Sequence, residues 1–307
     1  MRKKLIAGII LAFALFSVVV VFALRTGGGP AATPGSEFGE IGVIYVEGVI
    51  ASRGGNSGMI GGSVSAEEIA ATLRKTAANP QIKALVIRLN SPGGTPAAAQ
   101  EISMEIERLR QSGKKVVASM GDTATSGAYW VAAGADQIVA NPGTLTGSIG
   151  VIMQTTNLQE LYDKLGINTE TFKSGSHKDM GSASRPVTPE ERAIFQSMID
   201  DIYGQFIDVV ANGRHKDPAE IRSLADGRVF TGRQALELGL VDRLGDFHDA
   251  VLLAGELAGI PGEPVVTEIG PKNIWRDLLG GVGGTTLWGA VLPAFPLEDV
   301  PYAVNLR

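Results

Sequence analysis

A chain of 307 residues with 44% hydrophobic positions is long enough to bury a full core, as one domain of about 200–250 residues with appendages. Its formal net charge of −5, without a long Lys/Arg run, excludes a nucleic-acid partner, because phosphate binding needs a concentrated basic face. The absence of cysteine excludes disulfides, thiolate catalysis and Cys-ligated zinc, while 40 glycines against 6% aromatic residues point to tight turns and close backbone approaches.

Arg2, Lys3 and Lys4 precede an uncharged apolar run over residues 5–24. Twenty helical residues at about 1.5 Å each span a hydrocarbon core of about 30 Å, so residues 1–25 are expected to form a transmembrane anchor. The basic flank keeps the N-terminus cytoplasmic and sends the rest of the chain to the extracytoplasmic side of the cell membrane. An uncleaved anchor is favoured over a cleaved signal peptide, whose apolar region is shorter and ends at a small-x-small site. Residues 26–37, TGGGPAATPGSE, read as a flexible linker.

From Ile41 the pattern alternates. IGVIYVEG reads as a strand, and SAEEIAATLRKTAANP as a helix opened by Ser65 and Glu68 and stopped by Pro80. KALVIRLN is a buried strand, PAAAQEISMEIERLRQSG a helix, KKVVASM a strand, SGAYWVAAGA a helix, and DQIVAN and IGVIM two further strands. This order predicts an α/β fold with a parallel sheet, its ligand beyond the carboxyl ends of the strands. A long helix follows, capped by Thr188 and Glu191, with Ile194, Met198, Ile202, Phe206 and Val209 at core spacing. Thr231 caps another helix that Gly239 ends. The expected units are the anchor (1–25), the linker (26–37), a catalytic domain (38–262) and a C-terminal tail (263–307).

Two loops fall at neighbouring strand ends: NSPGGTP (90–96) and GDTATSG (121–127). Gly93 and Gly94 carry no Cβ to block a substrate backbone, and their N–H groups can point at a developing oxyanion. Ser126 stands at the start of a helix, where the N–H of Gly127 offers a second donor. Together they describe acyl transfer, although singly a Gly-Gly turn is an ordinary turn and a serine before a helix an ordinary N-cap. The serine needs a base. His215 and His248 lie in polar surface segments, which leaves His177, Lys164, Lys173 and Lys178 open. Lowering a lysine from about 10.4 to about 7.5 costs roughly 4 kcal/mol, within what burial imposes.

The blocks LNSPGGTP, TATSGAYWVAAGADQIVANPGTLTGSIGV, SGSHKDMGSASRPVTPEE and DGRVFTGRQALELGLVD, in that order over residues 40–260, resemble the signatures of the signal peptide peptidase A family of protease IV-like membrane serine peptidases. The resemblance implies a Clp protease/crotonase-like fold, a parallel sheet with flanking helices behind one N-terminal transmembrane helix. It implies Ser126 as nucleophile, Lys178 as general base, and Gly94 and Gly127 as oxyanion-hole donors. Ser148 is the candidate that orients the lysine amine, ahead of Asp122 and Asp179, because a neutral hydroxyl does so without favouring the charged form. The implied substrates are hydrophobic signal peptides left in the membrane, and the implied assembly is a homo-oligomeric ring with the dyad shared between protomers. No cofactor and no metal is expected. Proteolysis of another membrane protein, such as a stomatin-like partner, is the nearest alternative function. An acyl-CoA hydratase/isomerase-like enzyme and an inactive membrane scaffold are the alternatives from other classes.

Overall fold

The computed structural model describes residues 40–54 and 62–270. The expected anchor, the linker and tail residues 271–307 lie outside the described residues. Among the described residues no helix is long and apolar enough to cross a membrane.

Ten strands and eight helices are described. β1 (Ile41–Glu47), β2 (Val49–Ala51) and β3 (Ser63–Ser65) lead into α1 (Ala66–Ala78), β4 (Ala84–Ser91), α2 (Pro96–Gln111), β5 (Lys115–Thr125) and α3 (Gly127–Ala133). β6 (Gln137–Ala140), β7 (Leu145–Gly147), α4 (Gln159–Lys164), α5 (Pro189–Arg214) and α6 (Pro218–Leu224) follow. The last elements are β8 (Val229–Thr231), α7 (Gly232–Glu237), β9 (Arg243–Leu244), α8 (Phe247–Leu257) and β10 (Val266–Glu268). The main sheet runs β10-β1-β4-β5-β6-β9, with every pairing on that path parallel. β7 joins the far end of β5 and pairs antiparallel with β8.

Strand periodicity divides the core between two layers. Leu85, Ile87 and Leu89 of β4 face α1, α2, α3 and the second half of α5, while Ala84 and Val86 face α8. Both faces are covered, which is why β1 and β4 read as nearly unbroken apolar runs. α3 is wholly buried, and its Trp130 stacks on Phe206 of α5 with ring centroids 4.7 Å apart. The Tyr129 hydroxyl donates to the Leu240 carbonyl at 2.8 Å.

Several expectations meet the structure directly. Thr188 and Glu191 form a reciprocal capping box on α5, and Thr231 does the same with Gln234 on α7. Others need correction. The run expected to be core along all of α5 is buried only in its second half, at Phe206, Ile207, Val210 and Ala211; Met198 is 40% exposed. IGVIM is not a strand: β7 ends at Gly147, whose φ of +80° turns the chain out of the sheet, and Ile152 beyond it is 84% exposed. The sheet also takes an edge strand, β10, past residue 262, so part of the expected tail pairs with β1.

Candidate active site

The end of β5 builds the site. GDTATSG, expected as a loop, continues the strand to Thr125. β4 advances two residues from Leu89 to Ser91 while β5 advances four, from Met120 to Ala124, so Gly121 and Asp122 bulge and the last three residues of β5 reach β7. Such a bulge re-aims a strand end next to a site. Buried hydroxyls fasten the shifted segment. Thr144 Oγ1 donates to Gly121 O at 2.6 Å, Thr146 Oγ1 to Ala124 O at 2.8 Å, and Thr125 Oγ1 to Pro92 O at 3.1 Å. Ser91 Oγ accepts from Gly93 N–H at 3.0 Å and shapes the Gly-Gly turn from within. Ser91 at the end of β4, Thr144 before β7 and Thr146 within it are not singled out by their sequence, because their hydroxyl partners are set by the fold.

Ser126 sits between the last residue of β5 and the first of α3, with φ +53° and ψ −123°. A non-glycine residue there is strained, by about 1–3 kcal/mol. Its N–H donates to Gly147 O at 2.8 Å and its carbonyl accepts from Trp130 N–H at 3.0 Å, so the backbone is held at both ends. Its side chain makes no capping bond although it occupies the N-cap position. The half-buried hydroxyl is therefore not spent on the helix.

Gly94 lies against β2. Ile50 N–H donates to Gly93 O at 2.9 Å and Ile50 O accepts from Thr95 N–H at 3.0 Å. In this parallel bridge the partner residue's own N–H points to the opposite side, which here is the side of Gly127. A Cβ on Gly127 would stand 3.1 Å from Gly94 N, and a Cβ on Gly93 (φ +101°) would stand 2.8 Å from Gly127 N. Gly127, first in its helix, has no intrahelical acceptor for its N–H. The Gly93-Gly94 turn thus packs against the start of α3, where a Cβ on Gly93 would strike the Gly127 nitrogen. Ser126 and Ser148 each follow one member of the Thr125–Gly147 pair that ends the β5–β7 ladder. Ser148 also has a positive φ, +51°, with its N–H on Arg228 O at 2.8 Å.

Lys178 is the expected site residue that the single chain does not bring in. It is exposed, in a run of turns between α4 and α5, and among the described residues its ammonium has no hydrogen bond or ion pair to Ser126, Ser148 or any other group. Asp179 does not orient it: that carboxylate accepts from Arg185 Nε and Nη2 at 2.9 and 2.8 Å and from Lys173 Nζ at 2.7 Å. Lys173 is thereby committed to an ion pair, and His177 stands 3.4 Å from Glu190. Among the described residues no cluster of histidine and acidic side chains could hold a metal.

Hydrogen bonds from Arg185, then from the Thr188 amide, hold the Glu191 carboxyl down at about 2 from its ordinary 4.5. Hydrogen bonds from Arg185, then Lys173, hold Asp179 well below the usual carboxylate range. Depressed carboxyls stabilise the fold fully above their unfolded values and lose that contribution as pH falls through the folded ones. The melting temperature is expected to decline between pH 4.5 and about 2 as Glu191 protonates. Arg185→Gln should flatten that decline in thermal melts across the range.

A hydroxyl that caps nothing at a strained strand-to-helix junction, on the carboxyl edge of a parallel sheet beside a Gly-Gly turn, is where an α/β serine hydrolase displays its nucleophile. The family description peptidase family S49 matches residues 108–261. Over 209 residues the chain is 46% identical to a Synechocystis sp. protein with protease in its name, covering 67% of this chain and 75% of that one. It is 39% identical over 226 residues to protease 4 of Salmonella typhi, covering 74% of this chain but 36% of that one. It is 36% identical over 208 residues to an Enterococcus faecium protein with signal peptide peptidase SppA in its name, covering 68% and 60%. The chain belongs to peptidase family S49 and is a serine peptidase. It spans little more than a third of the Salmonella relative.

Proposed function

We propose that the chain is a membrane-anchored serine endopeptidase of Clp protease/crotonase-like fold, in which Ser126 is the nucleophile and Lys178 the general base. The observation that carries this reading is the Ser126 hydroxyl, free of any capping bond at a strained strand-to-helix junction; the amides of Gly94 and Gly127 are the donors this reading assigns to the oxyanion. The Lys178 amine takes the hydroxyl proton as Ser126 Oγ bonds to the peptide carbonyl carbon. The carbonyl oxygen becomes an oxyanion that accepts from the two amides. The lysine ammonium then gives its proton to the leaving nitrogen, the C–N bond breaks, and Ser126 carries the acyl group as an ester. Water, deprotonated by the same amine, releases the acid and restores Ser126. Ser148 is the hydroxyl that orients the amine. Apolar signal peptides left in a membrane are the substrates this reading assigns. It is supported by the apolar run over residues 5–24, which would hold the domain at the membrane surface, and by the name of the Enterococcus relative.

A general base must reach the serine proton, and the exposed Lys178 needs a serine that its own chain does not bring to it. The segment around it also leaves Ile152 84% and Phe172 86% exposed. A neighbouring copy that covers this segment and offers its own Ser126 meets both needs, so the dyad is shared between protomers of a ring. Mixing Ser126→Ala and Lys178→Ala chains tests this. Each is inactive alone, and an equal mixture that exchanges subunits regains about a quarter of parental peptidase activity, because half of each contribution is intact. A mixture that stays inactive although both variants assemble would place the dyad within one chain.

A further inference from the structure

Between α4 and α5 the chain runs from 165 to 188 without helix or strand, yet the turn that carries Lys178 is tied down more firmly than a surface loop requires. The ties converge on Arg185. Its Nε and Nη2 grip both oxygens of Asp179, at 2.9 and 2.8 Å, and Nη2 also reaches the Asp179 carbonyl at 3.3 Å. On its other side Nη1 donates to Glu191 Oε2 at 2.9 Å, Nη2 donates to Glu191 Oε1, and Nη1 reaches the Pro186 carbonyl at 3.1 Å. Glu191 belongs to the first turn of α5, its side chain is 3% exposed, and it accepts in addition from Thr188 N–H at 3.0 Å. Lys173 closes the same knot from the front, donating to Asp179 and to Ser176 O at 3.0 Å. The residue next to Lys178 is thus bolted to the start of a helix whose other half is core.

We propose that Arg185 is a positioning residue for Lys178: held between Asp179 and Glu191, it fixes the turn that presents the amine, so that the base meets the serine at one distance. This rests on Lys178 being the base. A planar guanidinium with two bidentate partners sets direction as well as distance, which an ammonium cannot. Catalytic groups tolerate little misplacement, since an error of about 1 Å costs on the order of 10²-fold in rate.

The test uses the full chain in detergent and a fluorogenic peptide of apolar residues, with Arg185→Gln, Arg185→Lys, Asp179→Asn and Lys178→Ala compared by kcat and KM. Folding and assembly are followed by circular dichroism and light scattering. Arg185→Gln and Asp179→Asn are expected to lower kcat by about 10–100-fold while KM stays within about threefold, and Arg185→Lys to recover only part of the loss. The double variant Arg185→Gln/Asp179→Asn should be no worse than the poorer single one, because both remove one shared interaction. Parental kcat in Arg185→Gln beside an inactive Lys178→Ala overturns the role of Arg185 alone. Parental kcat in Lys178→Ala overturns the base assignment, and this role with it. A loss of kcat that only tracks the folded or assembled fraction also overturns it. Where Arg185→Gln does not fold, Asp179→Asn decides by the same criteria, because it leaves the pair between Arg185 and Glu191 in place.

Discussion

Replacing Ser126 with alanine is expected to lower kcat on an apolar peptide by about 10⁴–10⁶-fold while leaving the melting temperature close to the parental value. The size is that of losing the proposed nucleophile altogether, which leaves the rate that bound substrate and the proposed amide donors give to water. The preserved stability follows from the structure. Ser126 Oγ caps nothing, and alanine keeps the Cβ and hence the same backbone strain. Ser126→Gly separates the two properties. It is equally inactive, but glycine adopts φ +53° at little cost, so the variant should gain up to about 1 kcal/mol less its added unfolded-state entropy. Peptide hydrolysis and thermal melts on the three chains check both statements.

The second large effect is at Gly94. A Cβ there would lie 1.8 Å from the Ile50 carbonyl oxygen, which no real contact allows, and the neighbouring atoms are backbone rather than a side chain that can swing away. Gly94→Ala must therefore break the bridge to β2, and with it the direction of the Gly94 N–H. Removing one oxyanion donor costs about 10²–10³-fold in kcat, and displacement of the whole turn puts the expected loss at or above that range. Gly94→Ala should also lower the melting temperature, unlike Ser126→Ala. A variant that kept parental kcat would show that this amide does not face the reacting carbonyl.

The parts of the fold that local chemistry determines were legible in the sequence. The capping box at Thr188, the cap at Thr231, the apolar runs of β1 and β4, and the helix after Ser126 each depend on residues within one or two turns of each other. The parts set by distant packing were not. β5 runs on through GDTAT because Thr144 and Thr146, twenty or more residues later, hold its carbonyls, and nothing in that polar stretch has strand alternation. IGVIM has the composition of a strand, but the turn at Gly147 takes it off the sheet first. A Gly-Gly turn and a helix start after successive apolar runs draw attention to the two loops of the site, but Ser126, Gly94 and Gly127 in their particular roles, and Lys178 as base, come only from the family resemblance. The knot of Asp179, Arg185 and Glu191 was missed for a different reason: Glu191 reads as a cap, and that reading hides the second use of its carboxylate.

The proposed chemistry requires Ser126 to take up the acyl group with the help of Lys178. Reaction of the assembled full chain with a fluorophosphonate, followed by peptide mapping and mass spectrometry of parent, Ser126→Ala and Lys178→Ala, tests it most directly. One labelled residue, Ser126, is expected, with no label in Ser126→Ala and labelling slowed by about 10²-fold or more in Lys178→Ala, in line with loss of a general base. Label on another serine, or an undiminished rate in Lys178→Ala, would contradict it.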